Sequence, residues 1–136
     1  ESCSGGRIAA EITSYAGASA SFMGGIIPYD TNLKTKILGV PKNIIEKYNV
    51  VSIPVVEEMA KRCQLLFESD YSIATTGIAG PTTGDGDDEV GTVCIAIGTP
   101  GGVVSEKFQF GKDRYRVIEK TANKAFEMLL KEISKN

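Results

Sequence analysis

The sequence contains no histidine and no tryptophan among its 136 residues. The absence of histidine excludes catalytic triads and dyads with an imidazole base, and it excludes zinc sites that need a histidine ligand. A proton-transferring side chain must therefore be a lysine, a tyrosine or a carboxylate. Together with the absence of paired cysteines, this favours a site without a metal ion.

Cysteine is also scarce, and neither a long apolar run nor a basic excess is present. The three cysteines are Cys3, Cys63 and Cys94, and no CxxC pair occurs. Their odd number and wide spacing predict free thiols in a reducing compartment, which we interpret as the cytoplasm. No apolar run approaches the roughly 20 residues that a bilayer span requires. The net charge of −2 predicts no contact with nucleic acid, which needs a basic stripe.

The remaining composition is that of one compact domain over residues 1–136. Hydrophobic residues make up 42% and charged residues 24% of the chain, as in ordinary globular proteins. Periodicity and capping residues predict helix, strand, helix, helix, strand, strand, strand and helix. The predicted elements are Arg7–Tyr15, Met23–Tyr29, a helix from Thr31 or Asn32 to Leu38, a helix capped by Ser52 that ends at Phe67, Tyr71–Thr75, Val90–Gly98, Val103–Phe110 and a helix from Asp113 to Ile133, with a short helical turn, Pro41–Lys47, before the Ser52 helix. This order predicts an α/β layered domain with a mixed sheet.

Two glycine-containing segments are candidate binding sites. Gly5 and Gly6 precede the first predicted helix, whose free backbone N–H groups can bind an anion or an oxyanion, although most such junctions are plain loops. The acidic loop 82–89 resembles a calcium loop in its spacing but lacks the twelve-residue pattern. We interpret this loop as solvated. No phosphate-binding P-loop pattern occurs.

Hydroxyl groups and lysines remain as the candidate chemical groups. They lie in small-residue loops or beside predicted strand ends, at Ser2, Ser4, Ser19, Ser21, Lys34, Lys36, Thr75 and Thr76. Without histidine, a serine paired with a lysine is the natural nucleophile and base, because burial can lower the pKa of a lysine. Taken singly, each of these residues is more often a cap or a surface group.

Several short motifs follow one another along nearly the whole chain. They are Glu1-Ser-Cys-Ser-Gly-Gly, Ala16-Gly-Ala-Ser19, residues 25–29 followed by Lys34, Leu38-Gly-Val40, Val51-Ser52, Thr76-Gly-Ile-Ala-Gly-Pro81, Val90-Gly-Thr-Val93 and Asp113-Arg114. Together they resemble the C-terminal domain of competence-damage-inducible CinA proteins, a family that includes nicotinamide-mononucleotide deamidase. The family domain begins earlier, with a helix and a strand that this sequence lacks. We interpret these as missing residues, not as a different fold.

The resemblance implies a three-layer α/β/α sandwich and a cytoplasmic amidase. The implied reaction hydrolyses the carboxamide of nicotinamide mononucleotide to nicotinate mononucleotide and ammonia, without a cofactor or a metal ion. A small pyridine nucleotide is thus the expected partner, with no nucleic acid and no membrane. We also expect a homo-oligomer, whose subunit number the sequence does not fix.

The resemblance also assigns site residues. The nucleophile is placed at Ser19 and the base at Lys34, with Ser2 and Thr76 as hydroxyls that stabilise the oxyanion. Tyr29 and Arg114 are expected to support catalysis. The implied substrate contacts are Gly5, Gly6, Tyr29, Gly77, Ala79 and Gly80.

The sequence departs from the family pattern at several positions, including Ala18, Ser4 and Lys112. One alternative is therefore a nucleotide-binding or regulatory module of the same family that lacks the chemistry. The presence of both Ser19 and Lys34 argues against it. A structural partner in DNA uptake is a further alternative, and the lack of a basic patch argues against direct DNA contact.

Overall fold

The computed structural model describes residues 1–84, 86 and 88–135. Within these described residues, five helices and three strands follow one another, and one 3-10 turn, Ala18–Ala20, lies after the first helix. The elements are α1 (Arg7–Thr13), α2 (Thr31–Lys36), α3 (Lys42–Tyr48), α4 (Ile53–Phe67), β1 (Ser72–Gly77), β2 (Thr92–Thr99), β3 (Gly102–Gln109) and α5 (Arg114–Ile133). Asp85 and Asp87 of the acidic loop lie outside the described residues.

The described strands form one sheet in the order β1-β2-β3. Both neighbouring pairs are antiparallel, with Thr75 opposite Ile95 and Ile97 opposite Val104. The three predicted strands after residue 70 are thus confirmed in place and order. The mixed character that we predicted is not found in the described sheet, because each connection between its strands returns the chain in the opposite direction.

Helices cover both faces of the sheet, as the predicted three-layer sandwich requires. Alternate residues of β2 point to opposite faces. Cys94 and Ala96 pack in one apolar cluster with α4, whereas Val93, Ile95 and Ile97 pack in a second cluster with α5. A strand buried on both faces reads as a continuous apolar run, which explains why β2 was the clearest strand in the sequence.

The segment Met23–Tyr29 is a correction, because it has no regular secondary structure and pairs with none of the described strands. Two of its carbonyl oxygens bind groups outside any sheet: Ile26 O accepts from the backbone nitrogen of Glu1 at 2.8 Å, and Pro28 O accepts from Lys34 Nζ at 2.8 Å. Pro28 also has no N–H to donate to a ladder. The apolar pattern therefore reflects partial burial without strand pairing.

Side-chain caps set the starts of α2, α4 and α5. Ser52 Oγ accepts from Val55 N and the Asp113 side chain accepts from Arg116 N, as the sequence predicts. For α2 the cap is Asp30, whose carboxylate accepts from Asn32 N at 2.8 Å, one residue before the predicted positions.

In the described part of the chain, no helix combines the length and the apolar character that a membrane crossing requires.

Gly91 lies directly before β2, and a substitution there tests how closely the backbone packs against Gly111. Its φ is +92°, and a Cβ added there would collide with the carbonyl oxygen of Gly111. We expect Gly91→Ala to lower the free energy of unfolding by about 3 kcal/mol, the sum of backbone strain and overpacking. Urea denaturation measures this loss.

The matched control is Gly17→Ala, because Gly17 has a φ of +88° but open space at the Cβ position. It should cost only the strain, about 1–2 kcal/mol. Equal losses in the two variants would contradict the close approach of Gly91 to Gly111.

Candidate active site

Lys34 carries the buried amine around which the candidate site is built. It lies in the last turn of α2 and points inward, with 1% of its surface exposed. Its Nζ contacts Pro28 O at 2.8 Å, Ser2 Oγ at 3.1 Å and Tyr29 O at 3.5 Å. These three oxygens compensate the loss of hydration that burial of an amine entails.

Burial lowers the pKa of Lys34, because removal from water disfavours the charged ammonium. The nearby Cys3 thiol and Asp30 carboxylate act in the opposite direction and are smaller effects. The net lowering increases the fraction of neutral amine near neutral pH. A neutral amine beside a hydroxyl is what a lysine general base requires.

Ser2 is held opposite Lys34 by a chain of hydroxyl groups. Ser4 Oγ donates to Glu1 Oε1 at 2.6 Å, and it lies 2.9 Å from Thr75 Oγ1. Because the Ser4 proton is committed to Glu1, Thr75 donates its proton to Ser4. The Thr75 oxygen is then left to accept from Ser2 N at 3.3 Å. The chain Glu1–Ser4–Thr75 thus fixes the backbone of Ser2.

The neighbouring Thr76 faces the other way. Consecutive residues of a strand point to opposite faces of the sheet. Thr75 therefore faces the Ser2 turn, whereas Thr76 donates its proton to Val50 O at 3.0 Å. The oxyanion role predicted for Thr76 requires that this bond be given up, and the role stays a prediction.

The anion site predicted at Gly5 and Gly6 is occupied by a side chain of the protein. The Glu1 carboxylate accepts from Ile8 N at 3.0 Å and from Ala9 N at 2.9 Å, both in the first turn of α1. These amides are therefore not free for a substrate phosphate. The two glycines instead allow the tight turn into α1, since both have positive φ angles.

Arg114 connects two predicted site segments. One of its guanidinium nitrogens donates to Gly80 O, and the other donates to Tyr29 Oη at 3.1 Å. Tyr29 is 54% exposed, so it can contact a bound molecule. Gly77 packs against Cys3 and the Thr92 carbonyl, and the Ala79 side chain is buried under α5. These two residues can contact a ligand through their backbone alone.

The structure does not join Ser19 directly to Lys34. Ser19 lies in the 3-10 turn and is exposed. Among the described residues its side chain makes no hydrogen bond, and the hydroxyl bound to Lys34 is that of Ser2. The assignment of Ser19 as nucleophile therefore stays a prediction.

A cavity within the described residues borders this site at Glu1 but does not contain Lys34. It has a volume of about 610 Å³ and runs along the free edge of β1. Its lining is mostly apolar, with side chains from α1, α4, α5 and residues 20–26, and it includes neither Lys34 nor Ser2. We locate the candidate site at Lys34, because the buried pair of amine and hydroxyl lies there, and the lining of the cavity contains neither member of that pair.

Comparison with known proteins explains why the short sequence motifs follow one another along the chain. The family model of the CinA C-terminal domain matches residues 1–133. This chain belongs to the CinA C-terminal domain family. A CinA-like protein of Flavobacterium psychrophilum is 53% identical over all 136 residues, and one of Fervidobacterium nodosum is 40% identical over 99% of this chain. The chain spans about a third of the length of these curated CinA relatives.

Solved CinA-family structures share the fold. A competence-damaged protein (CinA) superfamily protein from Klebsiella pneumoniae is 27% identical, with a TM-score of 0.95 over 99% of this chain and 84% of that chain. A competence or damage-inducible protein from Enterobacter asburiae is 31% identical, with a TM-score of 0.92 over 95% of this chain and 81% of that chain. The α/β architecture is therefore the family architecture.

Three residues in the site make more contacts than their sequence context indicated. Thr75 and Ser4 were candidate hydroxyls without an assigned function, and Glu1 was noted only as part of a motif. The alternation of side chains along a strand predicts that Thr75 and Thr76 point to opposite faces. Which of the two faces Ser2 follows only once the register of β1 is known. No sequence pattern indicates that Glu1 caps a helix that starts six residues later.

Thr75 offers a direct test of the hydroxyl chain. Thr75→Val keeps the shape but removes the oxygen, which leaves Ser2 N and one lone pair of Ser4 unsatisfied. We expect it to lower the free energy of unfolding by about 1–3 kcal/mol. Thr75→Ser keeps the oxygen and should lose less than the Val variant. Urea denaturation of the two variants measures the difference, and a Ser variant as unstable as the Val variant would contradict the chain.

Proposed function

We propose that this domain is an amidase that hydrolyses the carboxamide of nicotinamide mononucleotide, or of a close pyridine nucleotide, with a serine nucleophile and neutral Lys34 as the base. The observation that carries the proposal is the buried contact between Lys34 Nζ and the Ser2 hydroxyl. A buried lysine with a lowered pKa that touches a hydroxyl is typical of a catalytic group. The family motifs supply the choice of substrate.

The proposed nucleophile is Ser19. Its exposed position leaves it open to substrate, and hydrogen bonds in an unliganded site often tighten when the substrate binds. Binding must bring Ser19 to the Ser2–Lys34 pair. The substrate itself assists, because its cationic pyridinium ring withdraws electrons from the amide carbon.

The reaction then follows acyl transfer in two halves. The Ser19 oxygen bonds to the amide carbon as its proton moves to the base, and the negative charge on the amide oxygen is stabilised by hydroxyl and backbone donors. The protonated base returns the proton to the nitrogen, and ammonia leaves. Water then attacks the acyl-serine by the same route and releases the nicotinate product.

Tyr29 and Arg114 are proposed to hold the substrate. The exposed Tyr29 ring can stack on the pyridinium, a cation–π contact. The hydrogen bond from Arg114 fixes the ring's hydroxyl end and ties it to Gly80. This arrangement supports binding of the cationic ring of the substrate beside the Lys34 site.

A non-catalytic nucleotide-binding module is the second candidate. The observation that favours it is the absence of a Ser19–Lys34 hydrogen bond among the described residues. Such a module would bind the nucleotide but release no ammonia. Turnover assays therefore separate the two candidates.

Ser19→Ala tests the proposed activity. We expect the purified protein to release ammonia from nicotinamide mononucleotide, and the variant to lose about 10³-fold or more in kcat, because the nucleophile is gone. An enzyme-coupled ammonia assay gives the rates. The matched control is Ser14→Ala, another exposed serine hydroxyl, which bonds only to Glu11 O of its own helix and should leave kcat unchanged.

Binding of the nucleotide without ammonia release would support the module instead. Near-normal turnover by Ser19→Ala would remove Ser19 from the mechanism. We expect EDTA to leave the rate unchanged, and inhibition that a divalent metal reverses would contradict a metal-free site.

The pH dependence tests Lys34 as the base. Because the neutral amine is the active form, kcat/KM should rise with pH through the lowered pKa of Lys34 and level off above it. Asp30 raises that pKa, so Asp30→Asn should move the rise to lower pH, while the amide oxygen keeps the α2 cap. The substrate titrates identically with both proteins, so the shift isolates an enzyme group. An unmoved or upward-moved rise would contradict the assignment.

A further inference from the structure

The contacts of Lys34 limit how it can exchange a proton. A neutral amine has two N–H donors and one lone pair. Of the three oxygens around Nζ, those of Pro28 and Tyr29 are backbone carbonyls, which accept hydrogen bonds but have no proton to give. Ser2 Oγ is the third, and it belongs to a hydroxyl group. Of the described groups bonded to Nζ, Ser2 alone can donate to the lone pair.

We propose that the Ser2 hydroxyl relays the proton between the nucleophile and Lys34, and is not an oxyanion donor. This inference rests on the proposed amidase function. In the starting state the two amine protons point to the carbonyls, and the Ser2 proton points to the Lys34 lone pair. That single proton is then not free for an oxyanion.

The relay step balances in atoms and electrons. The Ser2 O–H bond breaks as its proton joins the Lys34 lone pair, and the Ser19 O–H bond breaks as its proton joins Ser2 Oγ. The electron pair left on the Ser19 oxygen forms the bond to the amide carbon, and the carbonyl electrons move to the amide oxygen. The reverse transfer carries a proton from Lys34 through Ser2 to the departing nitrogen.

A relay hydroxyl must be fixed in place, and the structure fixes Ser2. The residue is 8% exposed, and its backbone nitrogen is bound by Thr75 Oγ1. Lys34 itself is 1% exposed, so a nucleophile cannot reach Nζ without passing through a neighbouring group. The buried pair therefore needs an intermediary, and Ser2 occupies that position.

A double-mutant cycle on kcat/KM tests the relay. The variants are Ser2→Ala, Lys34→Met and the double variant, with Ser2→Thr as the conservative replacement that keeps a hydroxyl. If Ser2 acts only in series with Lys34, each single variant loses on the order of 10³-fold and the double variant loses no more than about three-fold beyond either single one. We expect Ser2→Thr to retain at least ten-fold more activity than Ser2→Ala.

Independent losses that multiply in the double variant would overturn the relay, since an oxyanion donor acts apart from the base. Equal activity of Ser2→Thr and Ser2→Ala would also overturn it. Circular dichroism and thermal unfolding of each variant show whether it is folded. A folded Ser2→Thr with wild-type thermal stability keeps the test valid if Lys34→Met does not fold.

Covalent labelling is a second experiment, which tests the relay independently of the choice of substrate. Phenylmethylsulfonyl fluoride reacts with an activated serine: the S–F bond breaks, an S–O bond forms, fluoride leaves and the serine proton goes to the base. We expect the adduct on Ser19 by mass spectrometry, and the same non-additive losses in labelling rate. Labelling without ammonia release would reject the proposed substrate but keep the relay. An adduct on Ser2, or no adduct on any serine, would overturn the relay.

Discussion

Strand β2 is apolar and buried on both faces, and each of these faces needs a covering layer. Cys94 and Ala96 are covered by α4, and Val93, Ile95 and Ile97 are covered by α5. Transfer of this apolar surface out of water is the main favourable term that holds the three layers together. The antiparallel partners β1 and β3 complete the hydrogen bonds of β2 on its two sides. The rest of the chain is arranged around this strand.

The alternation of side chains along β1 links the packing of β2 to the candidate site. Because β1 is paired with β2 in a fixed register, Thr75 must face the Ser2 turn and Thr76 must face Val50. A slip of one residue would exchange the two threonines and break the chain from Glu1 to Ser2. The packing of an apolar strand thus decides which threonine hydroxyl supports the Ser2 turn. Lys34 then reaches the same turn from α2, and its burial there lowers the pKa of its amine.

The predictions from the sequence are confirmed where neighbouring residues alone decide the structure. The Ser52 and Asp113 caps and the three strands after residue 70 follow from capping and apolar patterns, and they are confirmed. The segment Met23–Tyr29 was wrong as a strand, because an apolar run cannot tell sheet pairing from carbonyls that bind Glu1 and Lys34. The anion site at Gly5 and Gly6 was filled by Glu1, which no local pattern indicates.

By itself, the absence of histidine determined that any general base here is a lysine, a tyrosine or a carboxylate, and the motif order determined the family. Residue identities fix these properties without reference to a fold. Only the tertiary structure decided that Lys34 is buried, that its hydroxyl partner is Ser2, and that Thr75, not Thr76, supports that partner. Those facts depend on contacts between residues 32 to 73 positions apart. Such contacts exist only after the layers on β2 have brought distant segments together, since a pKa and a hydrogen-bond partner are properties of the surroundings, not of the side chain alone.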